Sequence, residues 1–292
     1  MSIIKLKIRY KNKVRRGVNL TLALLGICLA SFSFAGGKLV GTSGVSQVEG
    51  SGGGGMVPWA TLSGYDTQDE QSATSFFSYI QVNDFSMRAW GASASYHDRF
   101  ELSIARQTFH SQEIDVELSQ NIIGFKAKLF GDLIYSSMPQ ISVGLQYKSA
   151  QHDSTLEALK AEKDTGLDLY VATTKAWLDG PFHRNLVLNA TVRLTKANQV
   201  GLQGFGGDKK DSYSAVLETS VGLFLNRNWV VGAEYRQKPD NLSAVKEDDW
   251  SNVFVAFVPN KKVAITTAIV DLGRLAGFSR QRGMYTSIQV AF

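Results

Sequence analysis

The side chains of this sequence best suited to acid–base chemistry are its four histidines, His97, His110, His152 and His183. His110 has polar partners close by in the chain. These are Ser111, Glu113 and Asp115. A serine that a histidine activates and a carboxylate orients can hydrolyse an ester. A hydrolase site at His110 is therefore one hypothesis, but we expect a solvated loop histidine and no catalytic residue.

Acidic residues gather in two polar segments, where carboxylate oxygens could hold a divalent cation. They are Asp208, Asp211, Glu247, Asp248 and Asp249. Their spacing lacks the ligand pattern and the glycine of an EF-hand loop, so we expect solvated loops. The stretch "GLQGFGGDKKDS" (201–212) is not followed by a helical pattern, as a phosphate-binding loop would be. We predict neither a metal nor a cofactor.

The first 35 residues have the layout of a secretory signal peptide: basic residues, an apolar run, then small residues at Ser33 and Ala35. We predict cleavage after residue 35, with an uncleaved membrane anchor as the alternative. Removing the seven basic residues of this segment from the total of 31 leaves 24 against 26 acidic residues. No nucleic-acid surface is therefore expected. The only cysteine, Cys28, lies in the apolar run, so the mature chain would have no thiol nucleophile and no disulfide.

Apolar and polar residues alternate through most of the remaining chain. In "NLVLNATVRLTK" (185–196), Leu188 and Val192 share one face of an extended chain, whereas Asn189 and Arg193 share the other. On a helix these residues would not separate in this way, so the period of two predicts strands. The predicted strands are 38–48, 57–65, 74–83, 87–96, 100–109, 120–130, 139–148, 166–178, 185–196, 211–225, 229–238, 250–259, 262–271 and 282–292.

The connections indicate how these strands are arranged. Short ones at 226–228 and 259–262 alternate with long polar ones such as 197–210 and 239–249. Short turns at one end, long loops at the other and strands of about ten residues are typical of outer-membrane barrels. Bacterial barrels usually have an even strand number. We therefore predict an all-β, antiparallel transmembrane barrel of about 14 strands over 36–292, with 12 strands as the fallback if the N-terminal part is a plug.

A secreted β-sandwich is the alternative, because it also buries one face of each strand. The long strands, the export signal and aromatic rings near strand ends favour the barrel, since such rings lie at the lipid headgroups. These rings are Trp59, Tyr147, Trp177, Tyr213, Trp229 and Tyr235.

Four segments carry a resemblance to a known family: "GGKLVGTSGVSQVEGSGGGGMVPWA" (36–60), "RLTKANQVGLQGFGGDKKDSY" (193–213), "VGAEYRQKPDNL" (231–242) and "VFVAFVPNKKVAIT" (253–266). The chain resembles, over about 36–292, a proteobacterial family catalogued as domain of unknown function 3034. The resemblance implies an outer-membrane β-barrel and brings no activity and no catalytic residues.

The predicted register places ten charged residues on the inward face. The basic ones are Lys126, Lys128, Lys148, Arg193, Arg236 and Lys238, and the acidic ones are Glu101, Asp168, Glu218 and Glu234. Such charges either line a watery lumen or form ion pairs that brace the wall, and both interpretations stay open. Six basic against four acidic residues are too balanced to predict strong ion selectivity.

The segment "YTSIQVAF" (285–292) predicts the closing strand, with Ile288, Val290 and Phe292 toward lipid and Tyr285 inward. A terminal aromatic residue after such alternation resembles the signal that the outer-membrane assembly machinery recognises. We therefore predict that these four residues form that signal. The expected partners are this machinery, membrane lipid and lipopolysaccharide.

Three functions follow from this reading. A barrel of about 14 strands leaves room for solute, so a passive, porin-like channel in the outer membrane is the first hypothesis. A non-conducting barrel that displays its loops is the second. An outer-membrane hydrolase at His110 is the third, although the phospholipase signature of a His followed closely by Ser-Asn-Gly is absent.

Overall fold

The computed structural model describes residues 38–111, 116–151 and 153–292, so the predicted signal peptide lies outside the described residues. The elements are β1 (Val45–Ser46), β2 (Gly52–Gly53), β3 (Gln71–Val82), β4 (Phe85–Tyr96), β5 (Phe100–Ser111), β6 (Glu117–Phe130), β7 (Gln140–Gln151), α1 (Asp153–Leu159), β8 (Thr165–Trp177), β9 (Leu186–Thr195), β10 (Ser214–Phe224), β11 (Trp229–Arg236), β12 (Trp250–Asn260), β13 (Val263–Asp271) and β14 (Arg282–Ala291). Two short 3₁₀ helices cover Pro181–His183 and Asn198–Gly201. Within these ranges, no helix is both long and apolar enough to cross a membrane.

Strands β3 to β14 form one closed, antiparallel barrel of 12 strands. Each pairs with its neighbours in the sequence, and β14 closes the barrel by pairing with β3, from Gly283 opposite Val82 to Ala291 opposite Thr74. Closure satisfies the backbone groups that an open sheet edge would expose to hydrocarbon. The fallback count of 12 strands is therefore confirmed, and the count of 14 is wrong.

The barrel has two different ends. The turn end carries the connections 97–99, 131–139, 178–185, 225–228 and 261–262. The loop end carries 83–84, 196–213, 237–249, 272–281 and the connections that follow β5 and β7. In outer-membrane barrels the short turns face the periplasm and the long loops face the exterior.

Side chains alternate between a buried inner face and an exposed, apolar outer face. Large apolar residues on the outside include Phe77, Leu102, Ile104, Ile123, Val171, Val192, Val253, Ile269 and Ile288. Half-exposed rings lie near both ends, with Trp177 and Trp229 at the turn end and Tyr147, Tyr213 and Tyr235 at the loop end. A closed barrel with a lipid-facing apolar band and aromatic rims belongs in the outer membrane, as predicted.

The predicted strands 38–48 and 57–65 are wrong, because this part of the chain lies inside the barrel. We call residues 38–66 the plug. Every residue from 46 to 66 is buried, and the regular structure is limited to the two residue pairs of β1 and β2. Trp59, predicted at a membrane rim, is one of these buried residues, and its Nε1 donates to Ser220 Oγ at 2.6 Å. Alternation misled the prediction because the barrel wall surrounds this segment and buries its polar residues as well as its apolar ones.

Candidate functional site

The plug is held by polar groups of the wall that bond to its backbone. Glu101 on β5 accepts hydrogen bonds from the amides of Gly52 at 3.1 Å and Ser63 at 2.7 Å. Lys126 on β6 donates to the carbonyls of Gly52 at 2.7 Å and Thr61 at 2.9 Å. Lys126 and Glu101 also pair with each other at 3.4 Å. This ion pair of the wall thus binds two parts of the plug backbone, one at Gly52 and the other at Thr61 and Ser63.

Glu234 on β11 binds the glycine-rich tip of the plug. Its carboxylate accepts from the amides of Met56 at 2.9 Å and Val57 at 3.4 Å, and from Asn252 Nδ2 at 2.7 Å. A methyl group on Gly54 would overlap this carboxylate. An alanine at position 54 would therefore displace this carboxylate from the amides that it binds.

Uncharged wall groups fix the return of the plug toward the turn end. The carbonyl of Ala60 accepts from Gln140 Nε2 at 2.7 Å, and the amide of Ala60 donates to Thr174 Oγ1 at 2.8 Å. The carbonyl of Pro58 accepts from Thr191 Oγ1 at 2.7 Å. The plug backbone has these partners in place of a regular sheet, as buried backbone groups require.

The lumen also holds a network of ion pairs around Glu49. This residue is the only charged one between positions 39 and 65. One carboxylate oxygen contacts Lys148 on β7 and lies 2.9 Å from Arg236 Nη2, and the other lies 3.2 Å from Arg193 Nη2 on β9. All four side chains are at most 3% exposed. A single plug carboxylate therefore joins three basic residues of the wall.

Two wall carboxylates complete this network. Asp168 Oδ2 lies 2.7 Å from Lys148 Nζ and 3.3 Å from Arg193 Nη1, and Glu218 Oε1 lies 2.6 Å from Arg193 Nε. Gln146 Oε1 accepts from Arg193 Nη1 at 2.7 Å. Three cations and three carboxylates thus balance, but only when Glu49 is counted.

Electrostatics at Glu49 follow from this arrangement. Burial by itself would raise the pKa of Glu49, but Arg236, Lys148 and Arg193 together hold it well below its usual range. Glu49 is therefore ionised, and it is the fixed counter-ion of the basic wall.

The loop end is closed by connections that fold inward. The backbone amide of Gln199 donates to both oxygens of Glu247, at 2.9 and 3.0 Å. Lys238 donates to Gln199 Oε1 at 2.7 Å and lies 3.4 Å from Glu247. Burial raises the pKa of Glu247 to about 7, although Lys238 lowers it. We call residues 197–205 with 237–249 the cap.

The plug and the cap meet at Lys148. Its ammonium contacts Glu49 of the plug and donates to the carbonyl of Val200 in the cap at 3.1 Å. One buried lysine therefore connects both closing segments to the wall.

Cavities lie at the ends of the barrel. One of about 590 Å³ opens at the turn end and is lined by Lys38, Arg184, Arg227 and Lys261 among others. Another, of about 210 Å³, lies nearby, beside Asp98 and Lys128. A cavity of about 20 Å³ lies beneath the cap and shares no lining residue with either.

The structure places all eight predicted lumen residues on the inner side of the barrel. Lys126, Lys148, Arg193, Glu218, Glu234 and Arg236 are buried and contact the plug or its ion pairs. Lys238 belongs to the cap and donates to Gln199, and Lys128 pairs with Asp98 at the turn end. That a solute meets these residues stays a prediction.

The predicted assembly signal lies along the closing strand. Tyr285 is buried inward, whereas Ile288 is exposed outward and Val290 is half-buried on the same face. Strand β14 ends at Ala291, one residue before Phe292. Recognition of these residues by assembly machinery stays a prediction.

The other candidate residues do not come together. His110 and Ser111 are successive on β5, so their side chains point to opposite faces. Glu113, Asp115 and His152 lie outside the described residues. Among the described residues, no cluster of three or more potential ligands could hold a metal ion.

The loop carboxylates that could in principle hold a cation have protein partners. Asp208 accepts from Ser243 and lies 3.4 Å from Lys160. Asp211 pairs with Lys196 at 3.0 Å, and Glu247 pairs with Lys238. These pairs connect loops and do not converge on one point.

Sequence reasoning missed Glu49, which is the centre of the site. The sequence feature that could have identified it is its isolation: Glu49 is the only charged residue within 39–65, a segment of 27 residues with eight glycines. Gln146 and Gln199 were also missed, because a polar residue on the inward face of a strand or in a loop carries no distinctive pattern.

The sequence matches one protein family, and the fold is similar to those of several solved structures. The model of the family described as protein of unknown function (DUF3034) matches residues 42–289. No curated protein matches the sequence. Among solved structures, the KdgM porin is 10% identical, with 75% of this chain and 99% of that chain covered and a TM-score of 0.46.

Two further solved structures are similar. The COG4313 outer-membrane channel from Pseudomonas putida F1 is 7% identical, with coverage of 78% and 97% and a TM-score of 0.47. Outer-membrane phospholipase A from Escherichia coli is 8% identical, with coverage of 78% and 90% and a TM-score of 0.37. The similar structures thus include both channels and an enzyme, and they do not assign a role to this chain.

Proposed function

Because the chain belongs to the DUF3034 family, whose description assigns no activity, we propose a function from the site itself: the protein is an outer-membrane channel for small solutes that its plug holds closed. The observation that carries this proposal is the bonding of the plug, which is attached to a polar, charged wall through hydrogen bonds and ion pairs.

The size of the barrel supports a pore beneath the plug. Barrels of eight strands are filled by their own side chains, whereas those of 16 to 18 strands leave an aqueous channel. This barrel of 12 strands holds a whole chain segment in addition to its inward side chains. Removal of the plug would leave a lumen lined by polar and charged groups that water can solvate.

The path of the plug supports reversible withdrawal. Both of its ends lie at the turn end, where Lys38 pairs with Asp98 at 2.7 Å and Asp66 accepts from the amide of Asp98 at 2.7 Å. The plug therefore enters and leaves by the same opening. It can move out toward the periplasmic side without threading the chain through the barrel.

A disulfide between plug and wall tests the proposal. Ser46 Oγ of the plug lies 3.4 Å from Thr74 Oγ1 of β3, and Cys28 is the only native cysteine. In a background without Cys28, Ser46→Cys with Thr74→Cys would fasten the plug. We expect this oxidised variant to be silent in planar bilayers at potentials where its reduced form conducts.

A matched control uses the same position on β3. Thr74 Oγ1 also lies 2.6 Å from Ser93 Oγ on β4, so Thr74→Cys with Ser93→Cys forms a disulfide within the wall and leaves the plug free. This control should conduct equally in both redox states. Closure of both oxidised variants would show that the disulfide perturbs the barrel and does not act through the plug.

A non-conducting barrel is the second candidate, and the double closure by plug and cap favours it. On that account the plug is a permanent core that stabilises the wall. It predicts silence from the reduced variant and the wild type at all potentials, and an unfolding temperature that drops steeply when residues 38–66 are deleted.

A further inference from the structure

The three basic residues around Glu49 carry an inference about what the open lumen binds. Lys148, Arg193 and Arg236 come from three different strands, and the wall opposes them with two carboxylates, Asp168 and Glu218. Without Glu49 these five wall residues therefore keep one net positive charge. Because the three basic side chains attract negative charge, another anion would be favoured in that position.

The geometry fits a carboxylate group. Lys148 and Arg236 bind one carboxylate oxygen of Glu49, and Arg193 binds the other. The site therefore offers three donors to two oxygens. Arg193 is itself held in position by Glu218 and Gln146, and its guanidinium carbon lies 5.3 Å from the centre of the Tyr170 ring. These supports remain when the plug leaves, because all of them belong to the wall.

A second feature also indicates a ligand. Among the described residues, Gln146 Nε2 and Asp168 Oδ1 are buried side-chain atoms without a hydrogen-bond partner. Both residues are fully buried, and each has its other polar atom on Arg193. The site thus has a donor and an acceptor beyond those that Glu49 uses.

We propose that Lys148, Arg193 and Arg236 form a carboxylate-binding site in the lumen, which Glu49 occupies as a built-in ligand while the plug is in place. A carboxylate-bearing solute replaces Glu49 when the plug withdraws. The use of the site in transport rests on the proposed function, but the site itself can be tested in the closed protein.

The test is chemical rescue of Glu49→Ala. This change removes the group that acetate would replace, so acetate should bind in its place and stabilise the fold. At an acetate concentration ten times the dissociation constant, the unfolding temperature should rise by roughly 3–6 °C relative to chloride at the same ionic strength. Wild type and Glu49→Gln, in which the side chain still fills the space, should respond equally to both salts.

The second variant checks the donors. In Glu49→Ala with Arg193→Gln, the acetate-specific rise should disappear. If Glu49→Ala fails to fold, a different measurement is used. The yield of refolded, heat-modifiable barrel is then compared between acetate and chloride. If acetate and chloride change the unfolding temperature and the refolding yield equally, the salts only screen charges. That result overturns the proposal.

The transport arm separates this proposal from the proposed function. The reduced Ser46→Cys/Thr74→Cys channel should prefer anions in a potassium chloride gradient, and Arg193→Gln should reduce that preference. If the reduced variant does not conduct, the proposed function is contradicted. The acetate rescue of Glu49→Ala then still tests the carboxylate-binding site. A conducting channel that prefers cations overturns the inference alone.

Discussion

The carboxylate of Glu49 lies 3.2 Å from Nη2 of Arg193, a residue 144 positions further along the chain. This contact joins the plug to the barrel wall. Because both side chains are buried, each depends on the other for compensation of its charge. The network is therefore a property of the folded, plugged barrel, and its disruption has measurable consequences.

Replacement of Arg193 by glutamine should strongly destabilise the plugged barrel. The variant leaves Glu49, Asp168 and Glu218 as buried carboxylates with too few cations, which typically costs about 3–5 kcal/mol. Urea titration of the detergent-folded protein measures the loss. Arg282→Gln is the control, because its pair with Asp271 is largely exposed and should contribute less than about 1 kcal/mol. Equal losses in the two variants would contradict the network.

Replacement of Gly54 by alanine should loosen the plug without opening the barrel wall. The added methyl group overlaps the carboxylate of Glu234, so either this carboxylate or the tip of the plug must shift, and the hydrogen bonds to Met56 and Val57 are weakened. We expect faster proteolysis within the plug while the heat-modifiable barrel persists. Gly222→Ala is the matched control, because its methyl group would lie 3.3 Å from Val230 Cγ1, a side chain that can adjust. Equal protection in both variants would contradict the close approach at Gly54.

The cap should make stability depend on pH through Glu247. Burial raises the pKa of this carboxyl group to about 7, so the folded protein binds the proton more tightly than the unfolded chain. Its contribution is fully present below the ordinary pKa of 4.5 and is lost as the pH rises through about 7. The unfolding temperature of the wild type minus that of Glu247→Gln should therefore fall over this range. A difference that is independent of pH would refute the assignment.

Deletion of Phe292 should impair assembly into the outer membrane. The residue ends the alternation of the closing strand, in which Ile288 faces outward and Tyr285 faces inward. The measurement is the amount of heat-modifiable protein in outer-membrane fractions, with Phe292→Tyr as a control that retains an aromatic ring. Normal levels of the deletion variant would argue against a terminal assembly signal.

Most of the wall could be predicted from the sequence, because a strand between lipid and a polar lumen must alternate. The predicted strand 185–196 is one residue longer than β9 (Leu186–Thr195) at each end. Arg193 lies on the inward face, as the predicted register requires. Local periodicity is sufficient for such strands, since each residue meets either lipid or lumen.

The plug and the partners of the inward charges could not be predicted in the same way. Segments 38–48 and 57–65 also alternate, but the lumen surrounds them, and only closure of the barrel shows which residues they contact. Glu49 meets Lys148, Arg193 and Arg236 across separations of 99 to 187 residues. No local pattern encodes contacts of that range.

The most direct test of the central claim is the current through one bilayer before and after reduction of the disulfide between positions 46 and 74. Our account predicts no current through the oxidised protein and the appearance of channel currents after a reductant is added. Currents that are the same before and after reduction would contradict it, because the plug would then not control conduction.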